Sequence, residues 1–250
     1  MTAPLVRAAV LMIGDELLSG RTQDTNLRTI AEFLAPLGVQ IGEARVVSDE
    51  PAEISAAVNA LRARFTYVFT TGGIGPTHDD KTADAIAAAF GVAIDVRADA
   101  RAILEAHYGT TDINEARLRM ARIPEGASLI ANPVSKAPGF QLGNVFVMAG
   151  VPSIMRAMLE DVGKRLDGGA VVKSVTVRAK GVREGDLAAP LAALQKAEPD
   201  VSLGSYPWYQ PPDGYGVHLV ARGADEAALE RAKTGLLQIA RDLGVDGEVV

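Results

Sequence analysis

Tyr67-Val68-Phe69-Thr70-Thr71-Gly72-Gly73-Ile74-Gly75-Pro76-Thr77-His78-Asp79-Asp80 is the stretch whose reading decides the fold. Tyr67 to Thr71 is a short strand-like run. It gives way to a loop with three glycines and a proline, and Ala83 to Phe90 then reads as a helix closed by Gly91. Strand, glycine loop and helix in that order form one turn of an α/β protein, in which ligands gather where strands end.

The pattern recurs on either side. Ala8 to Ile13 is a continuous apolar run ending at Gly14-Asp15, which reads as a buried strand feeding a loop. Leu27, Ile30, Ala31, Leu34 and Leu37 follow helical spacing up to Gly38, and Val39 to Val47 reads as a second strand. Pro51 suits the first turn of a helix carrying Ile54, Val58 and Leu61. Val96 to Ala121 reads as helical with a break near Gly109 to Asp112. A proline-punctuated stretch follows, with Pro124, Pro133 and Pro138 around two short strands. Val145 to Met148 is the last strand of this unit, and Ile154, Ala157, Met158 and Val162 mark the helix after it. Alternation of this kind predicts a mostly parallel sheet covered on both faces.

Asp167-Gly168-Gly169-Ala170 reads as a linker, dividing a domain at 1–167 from a small α+β domain at 171–250. The second part predicts a strand at Val172 to Ala179, a helix from Glu184 to Lys196, and a strand near Val201 to Ser205. A turn-like stretch holding Pro207, Pro211, Pro212 and Gly214 comes next. A strand from Tyr215 to Ala221 and a helix through Leu229, Ala232, Leu236, Ile239 and Leu243 complete it. Trp208 and Tyr209 are expected to pack on this domain, and His107 and His218 to be ordinary helix and strand residues.

Composition narrows the function. With 48% hydrophobic and 22% charged residues the chain is an ordinary globular protein. The net charge of -6 argues against a nucleic-acid partner, which needs clustered positive charge. It leaves room for a small phosphate ligand held by backbone N–H groups. The chain has no cysteine, which removes disulfides, zinc-thiolate sites and thiol nucleophiles and fits a cytoplasmic setting. No apolar run is long enough to span a bilayer, and the start, Met1 to Arg7, lacks a signal-peptide pattern. No membrane partner is expected.

The chemistry concentrates at a few turns. Gly72, Gly73 and Gly75 leave no side chain between backbone and ligand, so their N–H groups can form an anion nest, with Thr71 and Thr77 as hydroxyl donors. Asp79 and Asp80 are odd in a phosphate cradle unless a divalent cation bridges them to the phosphates. The plainer alternative is a tight turn in which Asp79 or Asp80 caps the next helix. The loop is neither a Walker A nor a dinucleotide fingerprint, since Gly-Lys-Ser/Thr and Gly-x-Gly-x-x-Gly are both missing. Gly14-Asp15-Glu16-Leu17-Leu18-Ser19-Gly20 offers carboxylates at a strand end, with Ser19 and Gly20 as a further phosphate or pterin contact; a solvated turn is the alternative. Asp49-Glu50, the Asn132 to Phe140 loop with its cation Lys136, and the turn at Gly150-Val151-Pro152-Ser153 complete the candidates. No Gly-x-Ser-x-Gly elbow is present, so a serine hydrolase is not expected.

Four segments in order resemble one family: Gly-Asp-Glu-Leu-Leu-x-Gly at Gly14, Thr-Thr-Gly-Gly-x-Gly-Pro-Thr-His-Asp-Asp at Thr70, Asn-Pro-Val-x-x-Ala-Pro-Gly-Phe at Asn132, and Pro-Ser-x-Met-Arg at Pro152. They are similar to the N-terminal half of the competence/damage-inducible protein A (CinA) family, a branch of the MoaB/Mog molybdopterin-binding fold, from about Val6 to Leu166. The tail from Val171 resembles the small KH-like domain that follows in that family. No Gly-x-x-Gly lies between its two expected helices, so RNA clamping in the KH manner is not expected.

The resemblance implies a three-layer α/β/α domain and one of two activities. One is a pyrophosphatase splitting ADP-ribose or FAD with a divalent metal (Mg, Mn or Co) and potassium. The other is binding or adenylylation of molybdopterin; a non-catalytic binding module is a further alternative. It implies Asp49 and Asp80 as the required aspartates and a homo-oligomer; the residues themselves add Asp15 as a candidate further metal ligand and His78 or Asp79 as candidate proton carrier. It also implies a short form, because the amidohydrolase domain of longer relatives is not in this sequence. Met120 stands where many relatives carry a polar residue.

Overall fold

The structure, a computed structural model, describes residues 4–212 and 214–250. Met1, Thr2 and Ala3, part of the segment read above for a signal peptide, lie outside the described residues. The chain divides into two compact units after Gly169, within the Asp167 to Ala170 stretch.

The first unit begins with strand β1 (Val6–Ile13), followed by a short helix α1 (Asp15–Leu18) and by α2 (Asn26–Leu34). Then come β2 (Val39–Val47), α3 (Pro51–Arg62), β3 (Tyr67–Thr71) and α4 (Thr82–Phe90). Strand β4 (Ile94–Val96), helices α5 (Ala98–Tyr108) and α6 (Glu115–Arg119), and strand β5 (Arg122–Pro124) follow. The unit ends with β6 (Ser128–Ile130), β7 (Gly139–Leu142), β8 (Val145–Met148) and α7 (Pro152–Gly163).

The main sheet has the order β2-β1-β3-β8-β7-β6. β1 pairs in parallel with β2 and β3, and β3 with β8, while β7 runs antiparallel to both its neighbours. Side chains alternate across a strand, so the apolar run of β1 serves two cores at once. Ala9, Leu11 and Ile13 join Ile54, Val58 and Leu61 of α3 and Ala85 and Ile86 of α4 on one face. Ala8, Val10 and Met12 join Ile30 and Leu34 of α2 and Met155, Met158 and Leu159 of α7 on the other. The result is the expected three-layer α/β/α domain. Phe69 stacks on Phe146 at 5.3 Å between ring centres, fixing β3 to β8 in the second core.

The helical stretch read over Val96 to Ala121, with its expected break near Gly109 to Asp112, is two helices, α5 closed by Gly109 and then α6, flanked by the unanticipated ribbon β4-β5. Its strands have three residues each, too few for the period-2 pattern to be read in sequence.

The second unit contains β9 (Lys173–Lys180), α8 (Glu184–Ala197), β10 (Ser202–Gln210), β11 (Gly214–Gly223), α9 (Glu226–Asp242) and β12 (Gly247–Val249). Its sheet, ordered β10-β11-β9-β12, packs Val177, Ala179, Val217 and Leu219 against Leu187, Leu229, Ala232 and Leu236 of the helices. The turn expected to begin at Pro207 does not: Pro207 and Trp208 lie within β10, opposite Val217 and Gly216. β10 is an edge strand, where a residue without an N–H is tolerated. Trp208 stacks on His218 and beneath Arg178, inside its own unit, whereas Tyr209 is 76% exposed and does not pack. Among the described residues no helix is long and apolar enough to cross a membrane.

Candidate functional site

Strand order brings the candidate turns together. The carboxyl ends of β2, β1, β3 and β8 stand side by side and carry, in turn, Asp49, Gly14 to Glu16, Gly72 to Asp80, and Gly150 with Pro152. β1 is followed in sequence by β2 on one side and then by β3 on the other. The crevice at such a reversal is where open α/β sheets bind ligands. A cleft of about 620 Å³ lies there, lined by these four turns together with Met120, Asn132, Ser135 and Ala137. That volume is in the range of a cofactor-sized ligand.

The glycine loop is shaped from beneath. Gly72 donates its N–H to Met148 O at 3.2 Å, so this amide is spent inside the sheet. Thr82, buried at the start of α4, donates Oγ1 to Gly72 O at 2.9 Å and its N–H to Gly73 O at 3.0 Å. These bonds turn both carbonyls inward. Among the described residues no partner is found for the N–H groups of Gly73, Ile74 and Gly75, all of which line the cleft. Successive free amides form an anion-binding concavity. Gly72 has φ +105°, and a Cβ there would lie 2.1 Å from Ile13 O. A Cβ at Gly75 would lie 2.6 Å from Asp80 Oδ2, so the missing side chain is what lets the carboxylate cross the loop.

The rim is acidic. Asp80 does not cap α4, whose N-cap is Lys81 without a side-chain bond. Instead Asp80 Oδ2 accepts from Thr77 N–H at 2.8 Å and Thr77 Oγ1 at 2.6 Å, closing the turn; among the described residues Oδ1 has no hydrogen bond. Asp49 Oδ2 accepts the N–H of Asp15 at 3.0 Å, tying the end of β2 to that of β1. Burial holds the Asp49 carboxyl above its ordinary range; the Asp15 N–H pulls it down, while the charges of Asp15, Glu16 and Asp79 push it further up. Among the described residues Glu16, Asp49, Asp79 and Asp80 line the cleft, and no Lys or Arg does.

The raised proton affinity of Asp49 sets a pH dependence. The folded chain holds this proton more firmly than the unfolded one, so stability falls as pH rises from the ordinary carboxylate range through the folded pKa. Asp49→Asn is therefore expected to melt slightly above the wild type at neutral pH in metal-free buffer. The gap should close below the ordinary carboxylate range. Thermal melts across that range check it; a gap that widens in acid would contradict the assigned cause.

Several predicted contacts lie elsewhere. Thr71 is buried and lines a neighbouring cavity of about 60 Å³ with Glu16 and Asn26. Thr77 serves the Asp80 turn and is not in the cleft lining. Asp15 contributes its N–H to Asp49, while its carboxylate is not in the lining. His78 is 97% exposed beside Asp79, outside the cleft. Ser19 is occupied locally, donating to Glu16 O and accepting from Arg21, and Gly20 has open space around it; neither lines the cleft. Lys136, with φ +64°, faces a separate depression with Asp161 and Arg165. Ser153 is exposed between two lining residues, Pro152 and Ile154. Gly150 lines the cleft, packed so closely on Gly72 that a Cβ would come 3.2 Å from its Cα.

The sequence reading missed Thr82 and Asn26, and it named the Asn132 loop without the part Asn132 plays in it. Asn26 donates Nδ2 to Gly150 O at 2.8 Å, and Asn132 donates to Ala137 O at 2.7 Å, so each fixes a lining turn from below. A polar residue inside an apolar pattern is the only sequence signal they give.

The strand order and the cleft define an α/β protein of the class that presents a ligand-sized crevice at the carboxyl ends of its strands. A family model described as a probable molybdopterin binding domain matches residues 9–168. A CinA-like protein of Citrifermentans bemidjiense is 41% identical over 162 residues, 62% of this chain and 39% of its own. One from Gemmatimonas aurantiaca is 35% identical over 250 residues, covering 90% of this chain and 58% of its own. The crystal structure of the protein CinA with unknown function from Thermoplasma acidophilum superposes with TM-score 0.61 at 37% identity, over 64% of this chain and 96% of that one. The chain belongs to the CinA-like family. It spans about two fifths of the length of the first of these relatives, as its 39% coverage states. Residues 172–245 match a model described as the middle domain of FAD synthase, a likeness the KH-like reading of the tail did not anticipate.

Proposed function

We propose that the first unit is a metal-dependent nucleotide pyrophosphatase acting on ADP-ribose or FAD. One observation carries the reading: among the described residues, three consecutive residues with unpaired amides line a cleft whose charged lining is wholly acidic. The amides call for an anion, while the carboxylates repel one unless a cation is shared between them.

The residues fit a hard cation. The donors are carboxylate oxygens, and among the described residues Asp49 and Asp80 each keep an Oδ1 free of hydrogen bonds. Among the described residues no three His, Asp or Glu side chains converge into a ready-made cage. A magnesium-like ion, which is commonly held by one or two carboxylates together with substrate phosphates, matches that arrangement. Asp49 and Asp80 would hold it, and it would supply charge neutralisation at the phosphates. Potassium stays part of this proposal.

The protein's own contribution is placement and fixed dipoles. The N–H groups of Gly73, Ile74 and Gly75 would bind phosphate oxygens and stabilise the charge that grows there as a P–O bond breaks. Thr82 holds the loop in that shape at no cost of reorganisation during reaction. A homo-oligomer and a cytoplasmic setting remain part of the proposal.

The test is AMP release from ADP-ribose and FAD with Mg, Mn or Co, with and without potassium. Metal-dependent release supports the reading. The likeness of residues 172–245 to an FAD synthase domain favours FAD as the better substrate. A second reading, binding or adenylylation of molybdopterin, is favoured by the description of the family model over residues 9–168. Stabilisation by molybdopterin, with no AMP release in any arm, would replace the first reading with the second.

A further inference from the structure

Adjoining the cleft at Gly73, Ile74 and Gly75 lies a second, smaller cavity of about 20 Å³. It shares these three residues as a common wall with the cleft, together with Asp80 and Met120, and two arginines line it. Arg122 is spent, since it is paired with Asp84. Arg119 is not. Its only hydrogen bond runs from Nη2 to the main-chain oxygen of Asp80 at 3.3 Å, its Nε is buried with no partner, and no carboxylate lies within ion-pair distance of it among the described residues. A half-buried guanidinium with one long bond to a carbonyl lacks the acceptors its five donors demand.

We propose that Arg119 is a ligand-binding residue that takes the second phosphate of a pyrophosphate. The inference rests on the nest holding the first phosphate. The cleft itself offers no cation, so a doubly anionic group at the nest would meet four carboxylates and no fixed positive charge. Among the described residues Arg119 is the positive charge without an ion pair that adjoins that wall, which Gly73 and Gly75 leave bare of side chains on either side of Ile74. Its planar fork suits bidentate contact with a phosphate, which a lysine would not reproduce. Met120, lining both cavities, marks where they adjoin and supplies no competing hydrogen bond.

The proposal separates pyrophosphate from monophosphate ligands. Titration calorimetry of the full chain with inorganic pyrophosphate and with inorganic phosphate, each in the presence of magnesium, tests it. Arg119→Ala is expected to weaken pyrophosphate binding about tenfold or more and phosphate binding less than about twofold. Arg119→Lys should recover part of the loss. Equal weakening of both ligands would make Arg119 a support for the Asp80 turn and overturn the proposal, as would unchanged pyrophosphate binding. A wild type that binds neither ion would sink the nest reading together with it, whereas wild-type binding indifferent to Arg119 would sink only this inference. Thermal melts of both variants confirm that they are folded; if Arg119→Ala does not fold, Arg119→Gln carries the same comparison.

Discussion

Asp80→Ala is expected to remove metal-dependent AMP release, by at least about 100-fold in kcat/KM, the scale of losing one electrostatic group from a phosphoryl-transfer site. Two things go with the carboxylate. One is the free Oδ1 at the cleft, half of the pair proposed to hold a cation with Asp49. The other is the acceptor for Thr77 N–H and Oγ1, which closes the turn after the glycines. Asp80→Asn separates them, because its amide oxygen can still accept from Thr77 while the charge is gone. The asparagine variant should melt close to the wild type and turn over as poorly as the alanine variant. If it turns over like the wild type, Asp80 acts through the shape of the loop and not through its charge.

Gly72→Ala is expected to cost about 3 kcal/mol or more, among the larger effects of a single substitution. Two penalties coincide. At φ +105° a side chain is strained wherever it stands, and here the added carbon would lie 2.1 Å from the carbonyl of Ile13. That carbonyl belongs to the end of β1, whose last six residues are all buried, so it cannot retreat without opening both cores. Thermal or urea unfolding reads the cost, at roughly 2–4 °C of melting temperature per kcal/mol for a unit of this size. A loss below about 1 kcal/mol would mean that the strand ends yield, and that the nest is softer than its bonds to Met148 and Thr82 imply.

The residues legible in the sequence were those whose role depends on their type. The run Ala8 to Ile13 announced a strand buried on both faces, and its alternate residues do supply two cores. The glycines and acids of Gly72 to Asp80 announced a polar turn at a strand end. What remained hidden depends on neighbours in space. The order β2-β1-β3-β8, which sets Asp49 beside the glycine loop, leaves no local trace. Ser19, Gly20 and Lys136 had plausible chemistry, but their backbones carry them outside the lining. Arg119 stands at the end of a short helix, and only folding brings it into the same small cavity as the glycine loop. Thr82 reads as an ordinary helix start, yet it fixes the loop's two carbonyls.

The central claim is that the amides of Gly73, Ile74 and Gly75 grip the phosphates. Backbone NMR of the labelled protein, titrated with ADP-ribose and magnesium, addresses those three groups individually. The account predicts that their amide signals move together as the ligand saturates, while that of Gly72, already bonded to Met148, moves least among the loop glycines. Saturable binding that leaves all three signals in place would contradict it.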